Sequence, residues 1–249
     1  MQQLTQVSDY YGITFQNRHS WQDFKLRVIG KKVTFPAKSK VTIRPPYSNQ
    51  LIDLSTFYNE QMFTDRTFEV TFLVLDRDNI SKDALYIQWT KIVNWLMSPI
   101  GRQALFDDVM PEYYYLGEVV DAPTWDEFQI HGKFTVTWAC YPFRIHRLLE
   151  GNDVWDTFNF DLDVAQPVKY DVDGSRNIVL LNNGATPIQP TIVTNAPLTL
   201  STNGIVIQVK AGTTGPDELL LPLTLQVGVN SITINGKGHI EFQWHKEVI

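Results

Sequence analysis

The sequence predicts a mainly β chain of two domains, an N-terminal β-sandwich with one docked α-helix and a C-terminal β-sandwich. Three observations carry this. Residues Phe134 to Arg144 alternate cleanly, with Phe134, Val136 and Trp138 on one face and Thr135 and Thr137 on the other. Only one segment has helical periodicity. Behind Arg147 the composition changes, and from Asn177 onward turn signals are frequent and helical periodicity is absent. The boundary is therefore set at 147/148, giving domains 1–147 and 148–249.

In the first domain, Lys25 to Ile29 and Val33 to Phe35 flank Gly30-Lys31-Lys32, which reads as a hairpin. Phe68 to Val74 is a strand with Phe68, Val70, Phe72 and Val74 on one face. The helix begins at Ser81, an N-cap residue, with Asp83 near its positive end. Leu85, Trp89, Ile92, Val93 and Leu96 fall at helical spacing and form a docking stripe. Ser98-Pro99 stops it, because the residue before proline avoids the helical region. Tyr113 to Val120 is a further aromatic-rich strand. Pro142 is expected to end the strand that begins at Phe134, because proline donates no ladder hydrogen bond.

In the second domain, Leu198 to Val209 is a hairpin across Asn203-Gly204, a pair suited to a type I′ turn. Ser231 to Trp244, across Asn235 to Gly238, reads as a second one. Asp171-Val-Asp173-Gly174 is read as a turn. A calcium loop fails there, since Lys169 would take the first ligand position and Leu180 the last.

Among the 249 residues, aromatics are 12%, charged residues 19%, and the net charge is −6. Residues 1–150 hold 16 Lys/Arg against 17 Asp/Glu, and residues 151–249 hold 5 against 10. That balance argues against specific nucleic-acid binding, which requires a basic surface. Cys140 is the single cysteine, so no intrachain disulfide is possible. The first ten residues have neither a basic region nor an apolar run, and no stretch approaches a membrane span. The expectation is a protein made in a cytosol without a membrane association.

Four segments, in order, resemble the distal tail (Dit) proteins of long-tailed, non-contractile phages. They are Gly12-Ile-Thr-Phe-Gln-Asn-Arg-His-Ser20; Ile43-Arg-Pro-Pro-Tyr through Asp53-Leu-Ser55, followed by the strand after Arg66; Leu105-Phe-Asp-Asp108 with Tyr113-Tyr-Tyr115 behind the helix; and Tyr141-Pro142-Phe143-Arg144. Leu181-Asn-Asn-Gly184, Pro190 and Gly228-Val-Asn230 continue the likeness. The resemblance implies a galectin-like C-terminal sandwich and a homohexameric ring at the virion's tail tip that lets DNA pass. It also implies partners: the major tail (tube) protein on one face, the tail-tip or tail-associated lysin protein on the other, and a receptor-binding protein. With no room for an inserted carbohydrate-binding module, the chain resembles the short form.

Residues 25–44 hold seven basic side chains and no acidic one: Lys25, Arg27, Lys31, Lys32, Lys38, Lys40 and Arg44. They read as lysine-protected edge strands or, more sharply, as an inter-subunit contact in the ring. No catalytic, cofactor or metal motif is found. The histidines His19, His131, His146, His239 and His245 show no metal-ligand spacing. Asp107/Asp108 and Asp161/Asp163 are carboxylate pairs, read as solvated. The alternative function is a lectin-like module contacting the host surface, with Trp155 and Trp244 stacking on sugar. The galectin sugar motif is absent, however, and Trp244 is in phase with Ile240 and Phe242, which suggests core.

Overall fold

The structure, a computed structural model, describes residues 11–55, 61–74, 81–128, 131–155, 158–219 and 221–249. The chain divides at Arg144/Ile145, three residues before the boundary expected from composition.

In the first unit, β1 (Ile13–Phe15) and β2 (Arg18–His19) form a tight hairpin over Gln16 and Asn17, whose φ values are 52° and 57°. A short helix the sequence did not announce, α1 (Ser20–Phe24), follows at once, and then β3 (Leu26–Val33). A two-stranded ribbon, β4 (Thr42–Ile43) and β5 (Ile52–Asp53), leads to β6 (Arg66–Val74). Next come α2 (Lys82–Met97), β7 (Gln103–Asp107), β8 (Tyr113–Val119), β9 (Thr124–Phe128) and β10 (His131–Leu149). The main sheet runs β2-β1-β7-β8-β10-β6-β3, with β9 also on β10.

The core follows from the period-two pattern. Phe68, Val70 and Phe72 of β6 face Trp138, Val136 and Phe134 of β10, and all six are at most 1% exposed. Burying a side chain of this size contributes roughly 1.5–3 kcal/mol, so this double row is the main stabilising feature. Helix α2 covers it. Ser81 Oγ accepts from Ala84 N at 3.2 Å, which caps the helix as expected. Leu85, Ile92 and Leu96 of the stripe are buried, and so is Trp95, which the stripe had left out. Trp95 stacks on Phe24 at 4.6 Å, and its Nε1 donates to Phe15 O at 2.8 Å. The ring thus locks α2 to both β1 and α1.

Two expectations are corrected here. Gly30-Lys31-Lys32 is not a hairpin turn. β3 is one strand paired with β6 from Leu26↔Val74 to Val33↔Phe68, with a bulge between Val28 and Gly30. The long partner strand holds the segment extended, and the turn-forming residues express only a bulge. Nor does Pro142 end its strand. Pairing of β10 with β6 stops at Cys140, so the missing N–H falls where that ladder has already ended.

The second unit contains β11 (Lys169–Asn182), β12 (Thr191–Thr194), β13 (Leu198–Thr202), β14 (Ile205–Val209), β15 (Gly212–Thr214), β16 (Gly228–Gln243) and β17 (His245–Val248). The last residues of β10 belong here too, where His245 Nδ1 lies 2.9 Å from His146 O. β13 and β14 form the expected hairpin, with Asn203 and Gly204 at φ 48° and 78°. The second expected hairpin does not exist. β16 is one strand, and β11 pairs with it without interruption from Lys169↔Glu241 to Asn182↔Gly228. Asp171 to Gly174 likewise lies inside β11 and is not a turn.

Glycine explains both misreadings. Gly174 (φ 93°) and Gly236 (φ 133°) sit directly opposite each other in the ribbon. On either side of them the same parity stays buried: Tyr170 and Val172, then Ile178 and Leu180, in β11; Ile232 and Ile234, then Ile240 and Phe242, in β16. The ribbon therefore bends at the glycine pair and wraps both halves around one core. β12 and β13 pair with opposite ends of β16, at Thr191↔Gln243 and Leu198↔Gly236.

Candidate assembly surface

The segment between β3 and β6 is the most unusual surface of the first unit. Phe35 is 81% exposed and Tyr47 fully so, and Val41, Ile43, Leu51 and Met62 are each more than half exposed. Scattered apolar residues are ordinary on a surface, but these six fall within one segment of chain, from Phe35 to Met62. The Asp53-Leu-Ser55 segment holds the ribbon in shape. Ser55 N donates to Asp53 Oδ1 at 2.9 Å, Val41 N donates to Ser55 Oγ at 2.8 Å, and Lys40 Nζ donates to Asp53 Oδ2 at 2.9 Å. Hydrogen bonds from Ser55 and Lys40 keep the Asp53 carboxyl well below the usual carboxylate range.

The seven basic residues separate into two groups. Lys25 is the left-handed C-cap of α1 (φ 54°), and its ammonium lies 6.0 Å from the Trp21 ring. Lys31 is committed to Asp107 and Lys40 to Asp53. Arg27, Lys32, Lys38 and Arg44 are exposed, and their side chains have no hydrogen-bond or ion-pair partner among the described residues. Lys38 and Arg44 lie in the same segment as the exposed apolar side chains, and Arg27 and Lys32 lie in β3 just before it.

Asp107 and Asp108, read from sequence as a solvated pair, are structural. Asp107 accepts from Tyr11 Oη at 2.9 Å and from Lys31 Nζ at 2.5 Å. Burial and the adjacent Asp107 carboxylate push the Tyr11 phenol far above its ordinary range. Asp108 Oδ2 accepts from Gly12 N at 2.9 Å and lies 3.0 Å from His19 Nε2. His19 Nδ1 accepts from Trp21 N and Gln22 N, capping α1, so the proton of this imidazole sits on Nε2 and is donated to Asp108. Sequence reading missed this cap because histidine is outside the usual set of capping residues.

Arg66, the first residue of β6, is 2% exposed, with its guanidinium 5.6 Å from the Tyr115 ring. Burial and nearby Arg144 shift its pKa down. The packing of this pair accounts for an arginine and a tyrosine in those two segments. Cys140 is fully buried, and burial pushes its thiol up to about 12.

In the second unit the two candidate sugar-stacking residues part company. Trp155 is 63% exposed. Trp244 is 4% exposed and packed in the core with Ile240 and Phe242, where no sugar can reach it. Asp163 is not a solvated carboxylate but the partner of Lys246, which is 2% exposed. His239 is the exposed polar-face residue expected, 3.0 Å from Asp171; the side chain of His131 lies outside the described residues. Among the described residues no group of three His, Cys, Asp or Glu could hold a metal ion, and no helix is long and apolar enough to cross a membrane.

No protein-family model matches the chain, and no curated protein matches it by sequence. Solved structures do. The chain is similar to the crystal structure of the SPP1 Dit (gp 19.1) protein, described as a paradigm of the hub adsorption apparatus in phages infecting Gram-positive hosts. The TM-score is 0.66 at 11% identity, over 96% of this chain and 99% of that one. A component of the phage p2 baseplate in its activated conformation with Sr also matches, with a TM-score of 0.39 at 10% identity over 94% of this chain and 97% of that one. Over nearly its whole length, then, this chain has the fold of a phage Dit protein.

Proposed function

We propose that the chain is a distal tail protein, a structural hub at the virion's tail tip and not an enzyme. Six copies form a ring that joins the tail tube on one face to the tail-tip or tail-associated lysin protein on the other, with a receptor-binding protein as a further partner. DNA passes through the lumen. The observation that carries this is the likeness to SPP1 Dit, which spans nearly all of both chains. The net charge of −6 suits a conduit, because a strongly basic lumen would hold DNA instead of passing it.

The ribbon between β3 and β6 is the inter-subunit contact in this reading. Its exposed aromatic and aliphatic side chains provide the area to bury, and Arg27, Lys32, Lys38 and Arg44 set the register against an acidic face of the neighbour. The test is mass in solution by light scattering, with negative-stain images of the same sample. The expected result is a six-subunit ring with a central hole, from chains of 28.6 kDa. A monomer, both alone and when co-expressed with a tail-tip partner, would overturn the proposal. Phe35→Ser with Tyr47→Ser should break the ring and leave each chain folded.

A further inference from the structure

The second unit carries an open cleft of about 460 Å³ between the end of β10 and the segment that leads into β11. Its size is that of small-ligand sites, which span roughly 300–1,000 Å³. Neither the hub reading nor the fold uses it. Two side-chain amides shape the described part of its walls. Asn152 Nδ2 donates to Leu149 O at 2.8 Å and its Oδ1 accepts from Val154 N at 3.0 Å, so this amide is spent in shaping the loop. Gln166 is spent likewise, bonded through both ends of its amide to the Leu181 main chain.

Of the remaining polar lining, Asp163 is held by Lys246 and Lys169 lies 3.6 Å from Glu241, which leaves one aromatic face and the carboxylates of Glu150 and Asp153, beside His146. Trp155 stands at the mouth, 63% exposed. Phe158 packs against it at 5.1 Å with a 44° tilt, which fixes the indole without covering it. Glu150 receives one long contact from Gln166 at 3.4 Å, and its Oε2 has no hydrogen-bond partner among the described residues. The Asp153 carboxylate has none either.

An exposed indole beside two free acceptors fits the two faces of a sugar, a C–H face for stacking and hydroxyls for donation. A quaternary ammonium is the other ligand that aromatic rings attract, but it is recognised by a cage of rings. Here the two rings pack on each other and present a single face. The three carboxylates of the lining, Glu150, Asp153 and Asp163, outnumber its one lysine, Lys169, which disfavours anionic sugars.

We propose that this cleft binds an uncharged saccharide, with one ring stacked on Trp155 and its hydroxyls held by Glu150 and Asp153. The site does not depend on ring assembly, and a monomer would bind as well as a hexamer. The test uses the full chain with glucose, galactose, N-acetylglucosamine, cellobiose, lactose and chitobiose as probes, and with glucuronic acid and choline as controls, read by calorimetry. At least one neutral sugar should bind at one site per chain. Trp155→Ala should weaken it by about tenfold or more, the loss expected of a central tryptophan contact. Asp153→Ala should weaken it as well. Trp155 lies on the surface, so its variant should fold, and an unchanged thermal unfolding transition reports on that. Binding of none of the neutral sugars, binding that Trp155→Ala leaves unchanged, or binding of choline alone would each overturn the proposal.

Discussion

Lys31 Nζ lies 2.5 Å from Asp107 Oδ2, although three strands, β8, β10 and β6, separate β3 from β7 in the sheet. A flat sheet could not bring them together. The first unit's sheet must therefore curl until its edge strand returns to the end of β7, and this ion pair, with Tyr11 on the same carboxylate, closes the gap. Lys31 is 26% exposed and Asp107 only 9%, so the pair lies between surface and buried regimes. Lys31→Glu would face Asp107 with a second carboxylate and should cost about 2–3 kcal/mol of stability. Its neighbour Lys32 is exposed and without such a partner, and Lys32→Glu should stay within about 0.5 kcal/mol of the parent. Chemical denaturation of the two single variants checks this. Equal losses would remove Lys31–Asp107 as a closure device. An assembly assay by charge reversal should accordingly use Lys32, Lys38 and Arg44 and leave Lys31 intact.

The bend at Gly236 gives a second expectation. A Cβ there would meet Leu198 Cδ2 at 2.7 Å, and φ of 133° is a conformation that side chains avoid. Gly236→Ala should destabilise the second unit by about 2–4 kcal/mol, from backbone strain and crowding together. Gly174, opposite it, has φ of 93° but open space around it, so Gly174→Ala should pay only the strain, about 1–2 kcal/mol. Thermal unfolding of the two variants would rank them. A neutral Gly236→Ala would mean that the ribbon bends elsewhere.

How much of this was legible in the sequence depends on range. Strand β6, the core face of β10, the cap and stripe of α2, and the Asn203-Gly204 hairpin are local patterns and could be read. What failed were places where a long-range partner overrides a local signal. Gly30 became a bulge because β6 runs past it, and Asn235-Gly236 became a bend because β11 pairs on both sides of it. The site was legible only as residue types. Seven basic residues stood out, but nothing local says that Lys31 and Lys40 are consumed within the chain, since their acids lie 76 and 13 residues away. Trp155 and Trp244 were both candidate stackers, but the phase of Trp244 with Ile240 and Phe242 already pointed to the core, where its burial places it.

Cys140 offers a probe of the first unit. It is wholly buried in β10, and its thiol is pushed up to about 12 by burial, with Arg66 and Arg102 only partly offsetting this. Thiolate is the reactive form, so the native chain should resist alkylation near neutral pH. Labelling should appear only on unfolding, in step with loss of the aromatic core. Stoichiometric labelling of the folded chain would contradict the packing of Cys140 beneath Gly117, where a Cβ would come within 2.6 Å of Sγ.

The second unit should lose stability in acid through Asp163. Burial alone would raise this carboxyl, but hydrogen bonds from Lys246 and the Asn159 main chain, with the Lys246 charge, lower it overall. A carboxyl depressed on folding contributes stability that is complete above its unfolded value of about 4 and is lost as pH falls through the folded value. Glu150 works the other way. Burial raises it, so its contribution is greatest when protonated and declines as pH rises past the ordinary glutamate range. The two therefore oppose each other, and the sign of the acid limb identifies the dominant one. Lys246 is 2% exposed and also donates to Leu162 O at 2.8 Å, which ties the Asp163 loop to β17. Asp163→Asn should lower stability at neutral pH by about 2–4 kcal/mol, because it leaves a buried ammonium without its counter-charge. It should also flatten the fall in Tm between about pH 5 and pH 3, where the parent carboxylate begins to take up its proton. Glu150→Gln should instead raise Tm at neutral pH and leave the acid limb in place. An Asp163→Asn profile parallel to that of the parent would show that another carboxylate governs acid unfolding.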